Sequence, residues 1–424
     1  MSTNLIRRIR PLEEPLGLFY RPGHSDHKLL SQLLSEAQTL MTGAVFDAQN
    51  TGLHEELRKE LNRRSLHSVL DPKFLEMATP GGFTKALRGL GWAGTSPDRL
   101  VDFEGNGRAR KIEALAQFTV SNEYSAILAP THFLAAGGAD PWFAIDLELT
   151  RLLRQRLDAL GGSDIHIYYP LAIPTKIFFD PAQRQYFKTF LRDLPIKSIW
   201  LRVSPFGGKS GHVTLTQYIR ACKDLRDLHT ALVAEKSGLL ALSLLAFNAV
   251  SGVEVGVSSG EKFDYTRLRH EPEDSGGFAP HREVYFPDLG IFLARRETRG
   301  LFENRSLRTQ LVCRNTACCA RGSDDMITDT RRHFVLTRMN EIKHLGLVPL
   351  AMRPTRFLDE TLRPATDRLG RSGQWEIPKA LKEKLERERR RLFGWQQTLG
   401  EMARSEPVGE SVVLPTRRAA RGAR

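Results

Sequence analysis

Between residues 44 and 297 the sequence alternates two textures, and this alternation constrains the fold more than any other feature. Short runs rich in Val, Ile, Leu, Phe and Tyr are each followed by a longer amphipathic stretch. The runs begin at 44 (AVFDAQN), 68 (SVLDPKF), 125 (SAILAPTHFL), 164 (DIHIYYPLAI), 198 (SIWLRVSPFGG), 239 (LLALSLLAFN), 252 (GVEVGVSSG) and 286 (FPDLGIFLARRE). Most are almost continuously apolar, the pattern of parallel strands covered on both faces. Between them, Asp180 and Pro181 form an N-cap and first-turn pair, and PWFAIDLELTRLLRQRLDALGG ends at Gly161. The stretch TLTQYIRACKDLRDLHTALVAEKSG predicts one helix ending at Gly238, with Cys222 as a packed core thiol. Roughly eight strands alternating with helices over about 250 residues predict an α/β chain of the (β/α)8 TIM-barrel type. No G-x-G-x-x-G follows an early strand, which disfavours a doubly wound sheet.

The expected organisation is an N-terminal extension over 1–40, the barrel over 41–300 and a zinc-binding subdomain over 301–377. A basic helix over 378–404 and a disordered tail over 405–424 complete it. In that helix Leu381, Leu385, Leu392, Trp395 and Leu399 fall on one stripe, and the segment 379–391 holds seven Lys or Arg against three Glu.

With 62 Lys+Arg against 49 Asp+Glu, the formal charge is +13, which favours a polyanionic partner and nucleic acid first. The basic helix and the tail from 417 are the expected phosphate contacts. Four cysteines in 424 residues argue against a secreted disulfide scaffold. Neither a signal peptide nor a run of about 18 apolar residues is evident, so a cytoplasmic protein without membrane contact is expected. The composition is equally compatible with a homodimer or with partner proteins.

Three of the four cysteines lie in LVCRNTACCARGSDDMITDTRRHF, from 311. Cys313, Cys318, Cys319 and His333 supply a Cys₃His set, one of the standard structural zinc sites, although either Cys318 or Cys319 can be a spectator. In a barrel, polar residues at the carboxyl ends of strands build the active site. That rule selects Asp47 and Asp71 as candidate catalytic carboxylates. It also selects Tyr168, Tyr169, Asn248 and Ser258 as substrate-binding candidates. Gly207 and Gly208, in FGGKS, would offer bare backbone amides; the glycine a phosphate loop needs is replaced by Val203.

A barrel followed by a Cys₃His loop and a His-led helix (HFVLTRMNEIK) resembles the tRNA-guanine transglycosylase superfamily, which includes enzymes that place 7-deazaguanine bases in DNA. RARKIEALAQFTVSNEYSAILAP and SPFGG carry the rest of the resemblance, over roughly 105–350. It implies exchange of a guanine-like base in nucleic acid and a structural Zn²⁺. It also implies Asp47 for acid/base work and Asp71 as nucleophile or orienting partner, with Tyr168 or Tyr169 stacking on the base. The strand similar to the family's nucleophile strand has Val257 and Ser258 near that place and Glu254 as its only acid. The family's basic tRNA-contact motif is absent after it, which puts DNA ahead of tRNA. Two other readings stay open: a non-catalytic nucleic-acid-binding relative, and an unrelated small-molecule barrel lyase or hydrolase.

Overall fold

The computed structural model describes residues 16–36, 40–257, 262–271, 283–410 and 412–415. Eight parallel strands close into a barrel, in the order β1 (Gly17–Tyr20), β2 (Gly43–Asp47), β3 (His67–Asp71), β4 (Ala126–Leu128), β5 (His166–Pro174), β6 (Ser198–Ser204), β8 (Ala231–Glu235) and β9 (Gly252–Val255). The last strand pairs with the first, Gly17 opposite Gly252 and Tyr20 opposite Val255. Outside the barrel, β7 (Phe206–Gly207) pairs antiparallel with β10 (Lys262–Phe263), and β11 (Glu283–Phe286) forms a hairpin with β12 (Ile291–Ala294). The chain is a (β/α)8 TIM barrel with a helical C-terminal extension.

Period-two alternation sorts the strand side chains. Phe19, Val45, Val69, Leu128, Tyr168, Trp200 and Val233 fill the barrel interior, while Tyr20, Phe46, Leu70, Tyr169 and Leu201 pack outward against the helices. The helix caps follow the sequence: Asp180 accepts from the Ala182 amide and Asp140 from the Trp142 amide, each followed by a first-turn proline. Cys222 is fully buried in the outer core.

Two of the eight expected barrel strands do not join the barrel. LLALSLLAFN forms a helical turn and the helix Ala241–Ala246, buried on all sides and therefore apolar without a period. FPDLGIFLARRE supplies β12, which turns back on β11 instead of joining the barrel. The true strands in their place are β1, inside the expected N-terminal extension, and β8, inside the expected helix that ended at Gly238. That helix stops at Asp224, and His229, in the left-handed conformation with φ of 49°, turns the chain into β8.

The C-terminal helix runs Lys379–Ser405 with the expected leucine and tryptophan stripe buried. Beyond it, residues 406–410 and 412–415 of the expected disordered tail lie against the amino-terminal end of the barrel. The Asn248 amide donates to the carbonyls of Gly409 and Glu410, the Ser251 hydroxyl to Val412, and the His67 ring contacts the Pro415 carbonyl. Leu414 is 8 % exposed and fits where β1 and β9 present Gly17 and Gly252. A Cβ at Gly17 would overlap its Cδ1, and one at Gly252 would come within 2.8 Å. Leu414→Ala should therefore leave a cavity costing about 2–4 kcal/mol, read as a lower urea midpoint with unchanged slope. An unchanged midpoint would show that the segment only rests on the barrel.

Candidate active site and metal group

The mouth of the barrel continues the interior pattern two residues further along six of the eight strands. Phe19 leads to Arg21, Val45 to Asp47, Val69 to Asp71, Trp200 to Arg202, Val233 to Glu235 and Gly252 to Glu254. The last interior layer is thus charged where those below it are apolar. Arg21 sits at its centre. Its Nη1 donates to Asp47 Oδ1 at 2.6 Å and Asp71 Oδ2 at 2.7 Å, its Nε to Glu254 Oε1 at 2.8 Å, and its Nη2 reaches Glu235 Oε2 at 3.3 Å. Arg202 bridges Asp71 Oδ2 at 2.6 Å and Glu235 Oε2 at 2.7 Å. Lys73, in the left-handed conformation, pairs with Glu76 and lies 3.5 Å from Asp47 Oδ1.

The carboxylates are not equivalent. Both oxygens of Asp71 are taken, Oδ1 by the Lys73 amide and Oδ2 by the two arginines, and its side chain is 2 % exposed. Burial raises its pKa, but Arg202, Lys73 and Arg21 outweigh this and hold it well below the usual carboxylate range. Asp47 is the more open group, with its side chain 20 % exposed. Its contacts all fall on Oδ1, leaving Oδ2 without a partner among the described residues. Burial is again outweighed, here by Lys73 and Arg21, so Asp47 too is held ionised. Glu235 goes the other way: burial raises it despite Arg202 and Arg21, and its enclosed Oε1 has no hydrogen-bond partner among the described residues. Beside it, burial lowers the Lys236 ammonium, with Arg21 and Lys73 acting in the same direction.

The structure brings Asp47 and Asp71 together as neighbours in register on β2 and β3. The other substrate-binding candidates fare differently. Tyr168 lies deep in the barrel, stacked on Trp200 at 5.6 Å with its hydroxyl 3.1 Å from His67 at the amino-terminal end. Tyr169 points outward into the helix layer. Neither can stack on a base at the mouth, because successive strand residues face the interior and the helices and both places are filled. Asn248 holds the C-terminal segment at the opposite end. The Gly207 amide donates to the Ser210 hydroxyl at 3.2 Å and is engaged, and the Gly208 carbonyl accepts from Arg391. Ser258 and the tail from 417 lie outside the described residues. Arg21, Arg202, Glu235 and Glu254 complete the mouth. Their common signal is a charge two residues beyond an apolar interior position.

The second constellation lies between the hairpin and the helix Thr330–Leu347. The ligand atoms of Cys313, Cys318, Cys319 and His333 all lie within 4.8 Å of one another. Cys318 and Cys319 Sγ are 3.6 Å apart and stand 3.4 and 3.5 Å from His333 Nδ1. Metal bonds of about 2.0–2.3 Å in a tetrahedron give ligand separations of roughly 3.3–3.8 Å, so these residues fit a metal ion. Both adjacent cysteines face the centre, because their amides share the Asn315 carbonyl in one tight turn and neither is turned away. His333 Nε2 donates to the Tyr285 carbonyl at 2.8 Å, which leaves Nδ1 as the ligand atom.

No family model matches the chain, and no curated protein matches it. Solved structures to which it is similar include a GH18 chitinase from Pseudoalteromonas aurantia, at 14 % identity over 57 % of this chain and 93 % of that one, with a TM-score of 0.36. A GH10 xylanase from Bispora sp. MEY-1 follows at 11 % identity, 56 % and 82 % coverage and a TM-score of 0.37. The Penicillium canescens endo-1,4-beta-xylanase XylE gives 11 %, 57 %, 83 % and 0.36. None of the helices among the described residues is long and apolar enough to cross a membrane.

Proposed function

We propose that the barrel mouth breaks a glycosidic bond in nucleic acid, with Asp47 attacking the anomeric carbon of the bound nucleoside. The observation that carries this reading is the contrast between the two ionised aspartates: Asp71 is held on both oxygens, whereas Asp47 keeps Oδ2 open at the mouth. A carboxylate held ionised by neighbouring cations suits nucleophilic attack and poorly suits proton donation. Asp47 is therefore read as the nucleophile in place of the acid/base work expected for it, and Asp71 as its orienting partner through Arg21. Glu235, with its raised pKa, is the member of the cluster best suited to hold a proton.

The chemistry is bond cleavage at C1′, with the base leaving as the Asp47 ester forms. A second base then displaces the carboxylate, which is the exchange implied by the transglycosylase resemblance, or water does, which is hydrolysis. DNA is favoured over tRNA. The metal group is read as structural Zn²⁺; it braces the helix Thr330–Leu347, whose Val335 carbonyl accepts from the Tyr20 hydroxyl of β1.

The test is an assay of DNA and RNA oligonucleotides for both release of free base and uptake of labelled guanine. Wild type should show one or both, and Asp47→Asn should lower the rate by about 10³-fold or more, an expected loss of roughly 4 kcal/mol of transition-state stabilisation. Asp71→Asn should be less severe. Binding without release or uptake would make the chain a non-catalytic relative. Activity confined to small glycosides would move it to the small-molecule hydrolases.

A further inference from the structure

A cavity of about 360 Å³ opens beside the barrel mouth, where β10 and the chain segments after β6 and β8 meet the C-terminal helix. Its lining includes Lys209, Lys262, Arg267, Lys384 and Arg391 against two acids, Glu283 and Glu388. Three of the cations are already committed: Lys262 to Asp264 at 2.8 Å, Lys384 to Glu297 at 2.6 Å, and Arg391 to Glu388 and the Gly208 carbonyl. Lys209 and Arg267 are exposed and form no ion pair among the described residues. Two cations without an ion-pair partner among the described residues face a walled space, and one wall is the turn at Gly238, two residues beyond Lys236 of the mouth.

We infer that this cavity seats backbone phosphates of the nucleic-acid strand whose reacting nucleotide enters the mouth. The inference rests on the proposed function for its choice of polymer, and it names what that proposal leaves open: where the strand is held. A guanidinium and an ammonium at one site match phosphate oxygens, the guanidinium in its planar fork and the ammonium as a point charge. The rest of the segment 379–391 contributes less than its seven cations suggest, because Arg389 and Arg390 both pair with Glu386. The described residues 412–415 take no part in this seat, since Pro415 lies at the other end of the barrel. An acidic protein segment is the competing occupant, disfavoured because a cation pair in a walled space next to a reaction site serves one repeating anion better than a variable peptide.

The experiment measures fluorescence anisotropy of single-stranded DNA and RNA 20-mers with the full chain, competed by inorganic phosphate, a mononucleotide or polyglutamate. Lys209→Glu with Arg267→Glu, both on exposed positions, is compared with the distant exposed control Arg63→Glu. The double variant should bind the oligonucleotides at least tenfold more weakly at moderate salt. Its slope of log affinity against log salt should be shallower by about 1.4, two phosphate contacts on a single strand. Arg63→Glu should leave both values unchanged. Equal binding by wild type and double variant would overturn the seat, as would competition by polyglutamate as strong as by unlabelled oligonucleotide. Competition by mononucleotide alone, without oligonucleotide binding, would also overturn it. The glycosidic reading fails separately: a variant with weakened binding, beside a wild type that never releases or exchanges a base, leaves the seat standing and removes the chemistry.

Discussion

Replacing Arg21 by Met is expected to be among the most damaging single substitutions in the barrel. The guanidinium contacts four carboxylates, Asp47, Asp71, Glu235 and Glu254, three of them almost completely enclosed. Removing it leaves those carboxylates facing one another with Arg202, Lys73 and Lys236 to answer them. Breaking a buried ion pair from one side costs about 3–5 kcal/mol, and here several pairs break at once. Urea unfolding should show a loss of at least that size, or a chain that does not fold. Arg21→Lys keeps the charge but loses the fork and should recover only part of the stability. A wild-type midpoint for Arg21→Met would mean that the network is not a unit.

The second large effect concerns the Cys₃His group. Purified protein should contain close to one zinc per chain, and Cys319→Ala or His333→Ala should bring it close to none. Structural zinc binding is coupled to folding, so the loss should propagate. Its route is visible: the helix that begins beside His333 also receives the Tyr20 hydroxyl and pairs Arg331 with Asp26 and Arg332 with Glu36. A strong chelator should lower the midpoint of wild type and leave Cys319→Ala unmoved. Wild type without bound metal, at full stability, would contradict a structural role for the group.

The barrel was legible in the sequence through its strand–helix alternation, yet two strand assignments were displaced, one to a helix and one to a hairpin outside the barrel. LLALSLLAFN is apolar on every side because it is buried on every side, and such a run has no period by which to separate helix from strand. ALVAE was hidden for the opposite reason. No Gly or Pro separates it from the preceding helix; the break is His229, a residue that rarely announces a left-handed turn. β1 is four residues long and follows a charged, proline-bearing segment, so its apolar content alone gave no strand.

At the site, Asp47 and Asp71 were visible because each ends an apolar run. Of their partners, Lys73 and Arg202 also stand at strand ends, but Arg21 and Glu235 were not visible, since they belong to the two strands that were missed. Tyr168 shows the limit of strand-end reasoning: it lies near the start of a nine-residue strand, and only its register with Ser198 and Leu128 places it deep in the barrel. The metal ligands were legible as a set because soft donors crowded into one loop of a cysteine-poor chain suit a metal ion better than any packing role.

The central claim is that Asp47 forms a bond to the sugar. The most direct measurement is intact-protein mass after an acid quench of wild type mixed with an oligonucleotide substrate, followed by peptide mapping. An added mass is predicted on the peptide containing Asp47, absent from Asp47→Asn. Base release or exchange by Asp47→Asn at the wild-type rate, with no adduct in either protein, would contradict it.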